Sequence, residues 1–391
     1  MKLVRGGISF PKGFYAVGKK AGIKLRKKDL SVIYSESPAN AAGCFTLNTV
    51  KAAPVIICME RLKKGKAQAI VANSGCANAC TGKKGLDDAK KIAATAAKEL
   101  KVDEQLVLVA STGLIGSFLP VGKIKRALHG IMRKLGKSNF FSHAAAEAIM
   151  TTDDERKELA LRENGVRFGA MAKGAGMIMP NMATMFCFIT TDAIASSKLC
   201  ERALKKAVEK SFNRLSIDGD MSTNDSAILL ANGASGKKLP DRKFFAAIEF
   251  ICTEMAKKMA EDGEGATKMI EAEVLGVKTE KAAKAMALSI VNSALVKSAV
   301  FGEDPNWGRV LAAIGSTKEK FNPEKAGVFL NGIAVARKGV GVKFNKIRME
   351  KALAGKKVKI TVKLGEGRKK ATAWGCDLTY EYVEINAAYH N

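Results

Sequence analysis

Histidine is nearly missing from this sequence: 391 residues hold three, His129, His143 and His390. A Ser-His-Asp or Cys-His mechanism has to take its base from those three. His129 closes a helical stretch just before Gly130, and His143 opens the helical run HAAAEAIM. Neither lies in a Gly-rich or loop-like motif, so covalent catalysis here calls for a base other than histidine. Long apolar runs are missing too. None reaches the roughly eighteen residues that a membrane span needs, and the N-terminal MKLVRGGISFPKGFYAVG has no apolar signal-peptide core. Cysteine is sparse and scattered, with eight in the chain. Cys58, Cys187 and Cys252 sit inside apolar runs. Cys76 and Cys80 lie close together, but no second Cys or His pair completes a zinc site. Buried free thiols of a cytoplasmic protein are the expectation, with no metal and no membrane partner.

What is abundant is positive charge. The net charge is +27 with a pI of about 9.7, on a globular balance of 47% hydrophobic and 26% charged residues. The basic residues come as short pairs and triplets, at 26–28 and 368–370, without the aromatic interleaving of RNA-binding modules. They read as a lysine-rich solvated surface, not a nucleic-acid site, and they would steer an anionic substrate inward. The length suggests two or three packed units.

Along the chain, strand-like and helix-like stretches alternate. Residues 30–34, 69–71 and 106–109 read as buried strands, the last running into Ser111-Thr112-Gly113. Residues 86–100 place Ala89, Ile92, Ala93, Ala96 and Leu100 on one helical face. Residues 124–135 and 144–150 also read as helices. Phe244, Ala247, Ile248, Ile251, Met255 and Met259 form another stripe, ending near Gly263. A further helix is expected over 282–296, with Thr279 as its cap. From 326 onward the text is strand-rich through GVFLNGIAVA, KVKITVKLG and ATAWGCDLTYEYVEINA, as a smaller C-terminal unit beginning near 310.

The most informative stretch is KGAGMIMPNMATMFCFITTD, residues 173–192. A Gly-rich loop leads through Pro180 to Ala183, and Thr184 then heads a nearly continuous apolar run, expected to be a strand buried on both faces. The Thr184 hydroxyl could attack the Ala183 carbonyl, which only a methyl shields, and shift the peptide to an ester. Hydrolysis would leave Thr184 with a free α-amine. Such an amine has a pKa of about 7.7–8.0, so it can act as base for its own hydroxyl. The plainer alternative is that Thr184 merely starts a strand.

This stretch resembles the cleavage signature of the ornithine acetyltransferase family, the glutamate N-acetyltransferases of arginine biosynthesis. Other family-like blocks follow in order: PANAAGCFTLNTVKAAPV (38–55), NSGCANACTG (73–82), ASTGLIG (110–116), MTTD (150–153), SFNRLSIDGDMSTND (211–225), DGEGATK (262–268), DPNWGR (304–309) and YVEINAAYHN (382–391). The resemblance implies an α/β fold, a four-layer αββα sandwich with a smaller C-terminal α/β unit. It implies self-cleavage between Ala183 and Thr184 into an alpha chain, 1–183, and a beta chain, 184–391, that stay interleaved as a heterotetramer of two copies each. Acetyl would pass from N-acetylornithine to Thr184 and then to glutamate, with no cofactor and with acetyl-CoA as a possible further donor.

Residue by residue, the resemblance makes Thr112 and Gly113 the oxyanion hole. It makes Thr151 (Thr152 competing), Lys173, Thr184, Glu264, Asn386 and Asn391 the substrate contacts. Lys173 would meet a carboxylate and Glu264 an ammonium. Each also has a structural reading: a helix cap for the threonines, a solvated surface charge for Lys173. Two positions depart from the family, Asn391 where Thr or Ser is usual and Cys76 where Asn is common. Asn306, Trp307 and Arg309 read as a structural turn. The competing activity is that of a self-cleaving aminopeptidase or amidase with the same architecture, whose family uses serine as nucleophile.

Overall fold

One long strand decides how the elements stack. The structure, a computed structural model, describes residues 1–179 and 185–388. Strand Leu30–Phe45 spans 16 residues. Its first part pairs antiparallel with Phe14–Lys19 and Lys66–Cys76, and its last part pairs with Ser226–Ala231. Register slips between Tyr34 and Ala39. Pro38 lies in that interval and has no N–H to give a ladder, so the strand breaks step there. The order across the sheet is Lys2–Val4, Lys157–Glu163, Val166–Lys173, Phe186–Thr191, Ser226–Ala231, Leu30–Phe45, Lys66–Cys76, Val107–Leu114.

Because Leu30–Phe45 serves both halves, the sheet divides into two limbs whose inner faces share one apolar cluster. Met171, Phe186, Phe188, Ile228 and Leu230 of one limb join Ile33, Ile70 and Leu108 of the other there, together with Ala145, Ala146 and Ile149 of helix Asn139–Ile149. Helices Ala53–Arg61 and Gly82–Leu100 pack on the limb that ends in Val107–Leu114. Helices Ser197–Lys210 and Asp241–Glu261 cover the opposite side of the other limb, over Cys187, Ile189, Ala227 and Leu229. This is the four-layer αββα sandwich. Strand Phe186–Thr191 is buried at all six positions, as expected for a strand with both faces covered.

The helical stripes hold. Ala89, Ile92, Ala93, Ala96 and Leu100 are buried on Gly82–Leu100, and all six apolar residues read on the 241–261 helix are buried. Thr279 caps helix Glu280–Asn292 by accepting from the Ala282 N–H at 3.1 Å. Three expectations change. The helix expected over 124–135 is Val121–Leu128 followed by a short 3-10 turn, because Gly130 takes φ +64° and breaks the ladder. The helix expected over 282–296 stops at Asn292, and Ser293 caps a second one, Ala294–Phe301. YEYVEINA is not a strand but helix Tyr380–Ala387, started by Thr379 accepting from the Tyr382 N–H at 3.3 Å. Its β-formers find no sheet edge, and the cap decides instead.

The second sheet runs Val340–Gly341, Ile333–Arg337, Gly327–Leu330, Lys357–Lys363, Met269–Val277, Lys369–Cys376. It therefore draws a strand from upstream of 310. One face packs on the helices of residues 280–315. The other is charged: Lys359 Nζ stands 3.2 Å from Glu271 and 3.0 Å from Glu273. Asn306 caps helix Trp307–Gly315, and Arg309 Nη1 donates to Leu295 O at 2.8 Å, so the DPNWGR turn is structural.

The two units are stitched by a buried cation. Lys297 Nζ donates to Ile217 O and Cys376 O, both at 2.6 Å, and is 4% exposed. Lys297→Met strands two buried carbonyls and should cost about 2–4 kcal/mol. Urea unfolding reads this, and an unchanged midpoint would count against the stitch.

Candidate active site

The site grows out of a buried carboxylate. Asp153, in the MTTD block, is buried and accepts three hydrogen bonds, one of them from an ammonium. Its Oδ1 takes the Gly174 N–H at 2.7 Å and the Lys157 ammonium at 2.7 Å, and its Oδ2 takes the Thr151 N–H at 3.0 Å. Lys157 also pairs with Asp262. Burial works against the charge on Asp153, yet Lys157 and Lys173 with the Gly174 N–H hold its carboxyl well below the usual range. Lys157 is likewise buried, but Asp153 and Asp262 keep its ammonium above the ordinary lysine value. These contacts fix the loop at 150–153 against the end of strand Val166–Lys173.

Lys173 is the last residue of that strand. It is 1% exposed, and among the described residues its Nζ has one weak hydrogen-bond contact, Thr112 Oγ1 at 3.4 Å. Burial pulls the ammonium below the ordinary lysine range, while Asp153 pulls it back. An under-partnered cation of this kind, lining a cleft, suits an incoming carboxylate.

Thr112 and Gly113 end strand Val107–Leu114 and lie in its ladder rather than in a strand-to-helix turn. Gly113 has φ +129°, and a Cβ there would come within 2.4 Å of the Gly75 carbonyl carbon. Only glycine fits, so the backbone of strand Lys66–Cys76 braces this end of the strand. Glu264 follows helix Asp241–Glu261. Its N–H donates to Ala175 O at 2.8 Å. Its Oε1 accepts from Thr152 Oγ1 at 2.7 Å and its Oε2 from Asn386 Nδ2 at 2.9 Å. A Cβ on Gly176 would stand 2.2 Å from that carboxylate, so the Gly-rich loop leaves Glu264 its place.

Thr112, Gly113, Thr151, Thr152, Lys173, Glu264 and Asn386 line one cleft together. Thr151 and Thr152 both face it, and it is Thr152 that holds Glu264. Ala183, Thr184 and Asn391 lie outside the described residues. Sequence reasoning passed over Asp153, Gly176, Ser222, Thr223 and Asn224, although MTTD, the Gly-rich stretch and MSTND contain them. The signal was there: polar runs ending apolar segments in quoted blocks. His129 and His143 are elsewhere, each paired with a glutamate, Glu99 and Glu158. Among the described residues no group of three or more His, Cys, Asp or Glu could hold a metal, and no single helix is long and apolar enough to cross a membrane.

A braced strand end with a backbone N–H and a hydroxyl, a buried lysine and a held carboxylate in one cleft of an αββα sandwich are the parts an acyltransferase for small charged substrates needs, and the comparisons with known proteins give that class. The ArgJ family pattern matches residues 15–391, and the chain belongs to the ArgJ family. It is 46% identical over 403 residues to the arginine biosynthesis bifunctional protein ArgJ of Caldanaerobacter subterraneus subsp. tengcongensis, covering 100% of both chains. It is 45% identical over 401 residues to that of Streptococcus thermophilus, again covering 100% of both. The crystal structure of ornithine acetyltransferase complexed with ornithine from Mycobacterium tuberculosis is 40% identical. That match covers 46% of this chain and 97% of that one, with a TM-score of 0.44.

Asp153 carries the site's pH behaviour. Its folded carboxyl lies below the unfolded value of about 3.9, so its stabilising share is whole above that pH and fades as pH falls through the folded value. Asp153→Asn leaves two buried ammonium groups under-compensated and should cost about 3–5 kcal/mol at neutral pH. Urea melts across pH should show the gap to wild type holding down to about pH 5 and narrowing only below about pH 4. A gap that vanishes by pH 6 contradicts the assignment.

Proposed function

We infer that this chain moves an acetyl group from N-acetylornithine to glutamate through an acetyl-Thr184 intermediate, after cutting itself between Ala183 and Thr184. The observation that carries the reading is the convergence of Thr112, Gly113, Thr151, Lys173, Glu264 and Asn386, from five separate segments, on one cleft. In the proposed cycle Thr184 Oγ attacks the acetyl carbonyl while its α-amine takes the hydroxyl proton. Thr112 and the Gly113 N–H receive the oxyanion. The C–N bond to ornithine breaks and the departing amine takes the proton. The glutamate α-amine then attacks the ester, the C–O bond breaks, and Thr184 regains its hydroxyl. Lys173 meets the substrate carboxylate and Glu264 the ornithine ammonium, with Thr151, Asn386 and Asn391 completing the contacts.

The proposed fragments, 1–183 and 184–391, would hold together after the cut. Strand Phe186–Thr191 is hydrogen-bonded to Val166–Lys173, and Ser226–Ala231 to Leu30–Phe45, so strands from both fragments alternate in one sheet. The reading places the enzyme in the cytoplasm as a tetramer of two copies of each fragment, working without a cofactor. The relatives' description as bifunctional favours acetyl-CoA as a second donor to glutamate.

A denaturing gel should resolve two bands split after Ala183, and Thr184→Ala should leave one inactive band. Cleavage of that variant at the same bond removes Thr184 from the role. Thr112→Ala should lower kcat by about 100- to 1000-fold. Acetylornithine consumption that ignores glutamate would favour the aminopeptidase or amidase alternative. Glutamate acetylation with acetyl-CoA as sole donor decides the second activity.

A further inference from the structure

The MSTND block has no role in the cycle just described, yet two of its side chains tie together the two parts that must meet. Asn224 lines the cleft and is 5% exposed. Its Nδ2 donates to Ser111 O and to Ala77 O, both at 2.6 Å. Ser111 directly precedes the oxyanion pair Thr112 and Gly113. The next residue, Asp225, is fully buried, and its Oδ1 accepts the Met185 N–H at 2.9 Å. The Ser226 N–H donates to Met185 O at 3.1 Å. Both backbone groups of Met185 are therefore held by adjacent residues of one segment, just before Phe186–Thr191 and Ser226–Ala231 begin to pair in parallel.

We propose that Asn224 and Asp225 form a positioning clamp that sets the spacing between the oxyanion turn and the chain at Met185, the residue after the proposed nucleophile. This rests on the function proposed above. Neither residue need touch substrate; each acts through what it holds. Two consecutive residues hold different parts of the chain, Asn224 the Ser111 carbonyl of strand Val107–Leu114 and Asp225 the Met185 N–H next to strand Phe186–Thr191. A misplacement of about 1 Å between reacting groups can cost roughly 100-fold in rate, which is the scale on which such a clamp matters.

Asp225 has a further property that shapes the test. Its Oδ2 has no hydrogen-bond partner among the described residues. Burial pushes the carboxyl well above the usual carboxylate range, against the pull of the Met185 N–H, the Lys173 ammonium and the Thr46 and Ser222 side chains. The Met185 N–H is held through Oδ1 alone, and accepting one hydrogen bond is a task an asparagine amide oxygen can also perform.

The test compares Asn224→Ala, Asn224→Ser, Asp225→Ala and Asp225→Asn with wild type for self-cleavage on a gel and for kcat and KM with acetylornithine and glutamate. The Asn224 variants should lose about 100-fold in kcat with KM nearly unchanged, since Lys173 and Glu264 are untouched. Asp225→Ala should slow cleavage and turnover, and Asp225→Asn should recover most of that loss. Circular dichroism and melting separate misfolding from misplacement; should Asp225→Ala fail to fold, the milder Asn224→Ser decides. Wild-type kcat in a folded Asn224 variant overturns the clamp, as does a loss confined to KM or an Asp225→Asn as slow as Asp225→Ala. Wild type that neither splits nor transfers acetyl overturns the functional reading itself and the clamp with it. An active wild type beside equally active Asn224 variants overturns the clamp alone.

Discussion

The site depends on holding charge in a place where water cannot screen it. Asp153 is the anion that makes this possible. It sits fully enclosed between Lys157 and Lys173 and takes two backbone N–H groups. Without it, two ammonium groups would face each other in a low-dielectric interior, a cost of several kcal/mol per ion. With it, Lys157 is neutralised on both sides by Asp153 and Asp262. Lys173 is left buried, with Asp153 supporting its ammonium and one weak hydrogen-bond contact among the described residues. In the proposed function this lysine meets the substrate carboxylate, so binding and folding would share one carboxyl group.

Around this charge the fold supplies close approaches. Strand Lys66–Cys76 runs parallel to Val107–Leu114 and meets it at Gly75 and Gly113. No side chain fits between the two, so the backbone at Gly113 is packed directly on that at Gly75. The Glu264 carboxylate rests where a Cβ of residue 176 would stand, and Thr152 and Asn386 fix its two oxygens. Gly113 is held by backbone, and the Glu264 carboxylate by the half-buried Thr152 and by Asn386 of the last helix. That is the rigidity on which electrostatic stabilisation of an oxyanion relies.

Much of the fold was legible. The stripes at 89–100 and 244–259 obey the helical period so clearly that packing had only to bury them. The apolar run after Thr184 could be nothing but a doubly covered strand. Less was legible where local preference and context disagree. The β-formers of YEYVEINA have no sheet partner, so a threonine cap turns them into a helix. The run at 124–135 looked continuous, but Gly130 in a left-handed conformation interrupts it. The strand Met269–Val277 was passed over although Ile270, Ala272 and Val274 alternate with Glu271 and Glu273 at the period of a half-buried strand. Of the site, Thr112, Gly113, Lys173, Glu264 and Asn386 were readable through family blocks. Asn224 and Asp225 were not singled out because their partners lie 40 to 147 positions away, and Asp153 was not because its weight comes from burial, which the local sequence does not show.

The sequence by itself determined the nature of the chemistry: a scarcity of histidine, a threonine behind a flexible Gly-rich segment, and a basic chain with one glutamate set between glycines. Those are facts of composition and order, and they need no coordinates. The tertiary structure alone decided which of 65 basic residues is buried at the cleft, and which carboxylate supports its ammonium there. It also decided that the MSTND block joins two strands rather than forming a surface turn. The reason is physical. Desolvation and hydrogen bonding between residues more than a hundred positions apart depend on where the chain returns to itself, and no local pattern encodes that return.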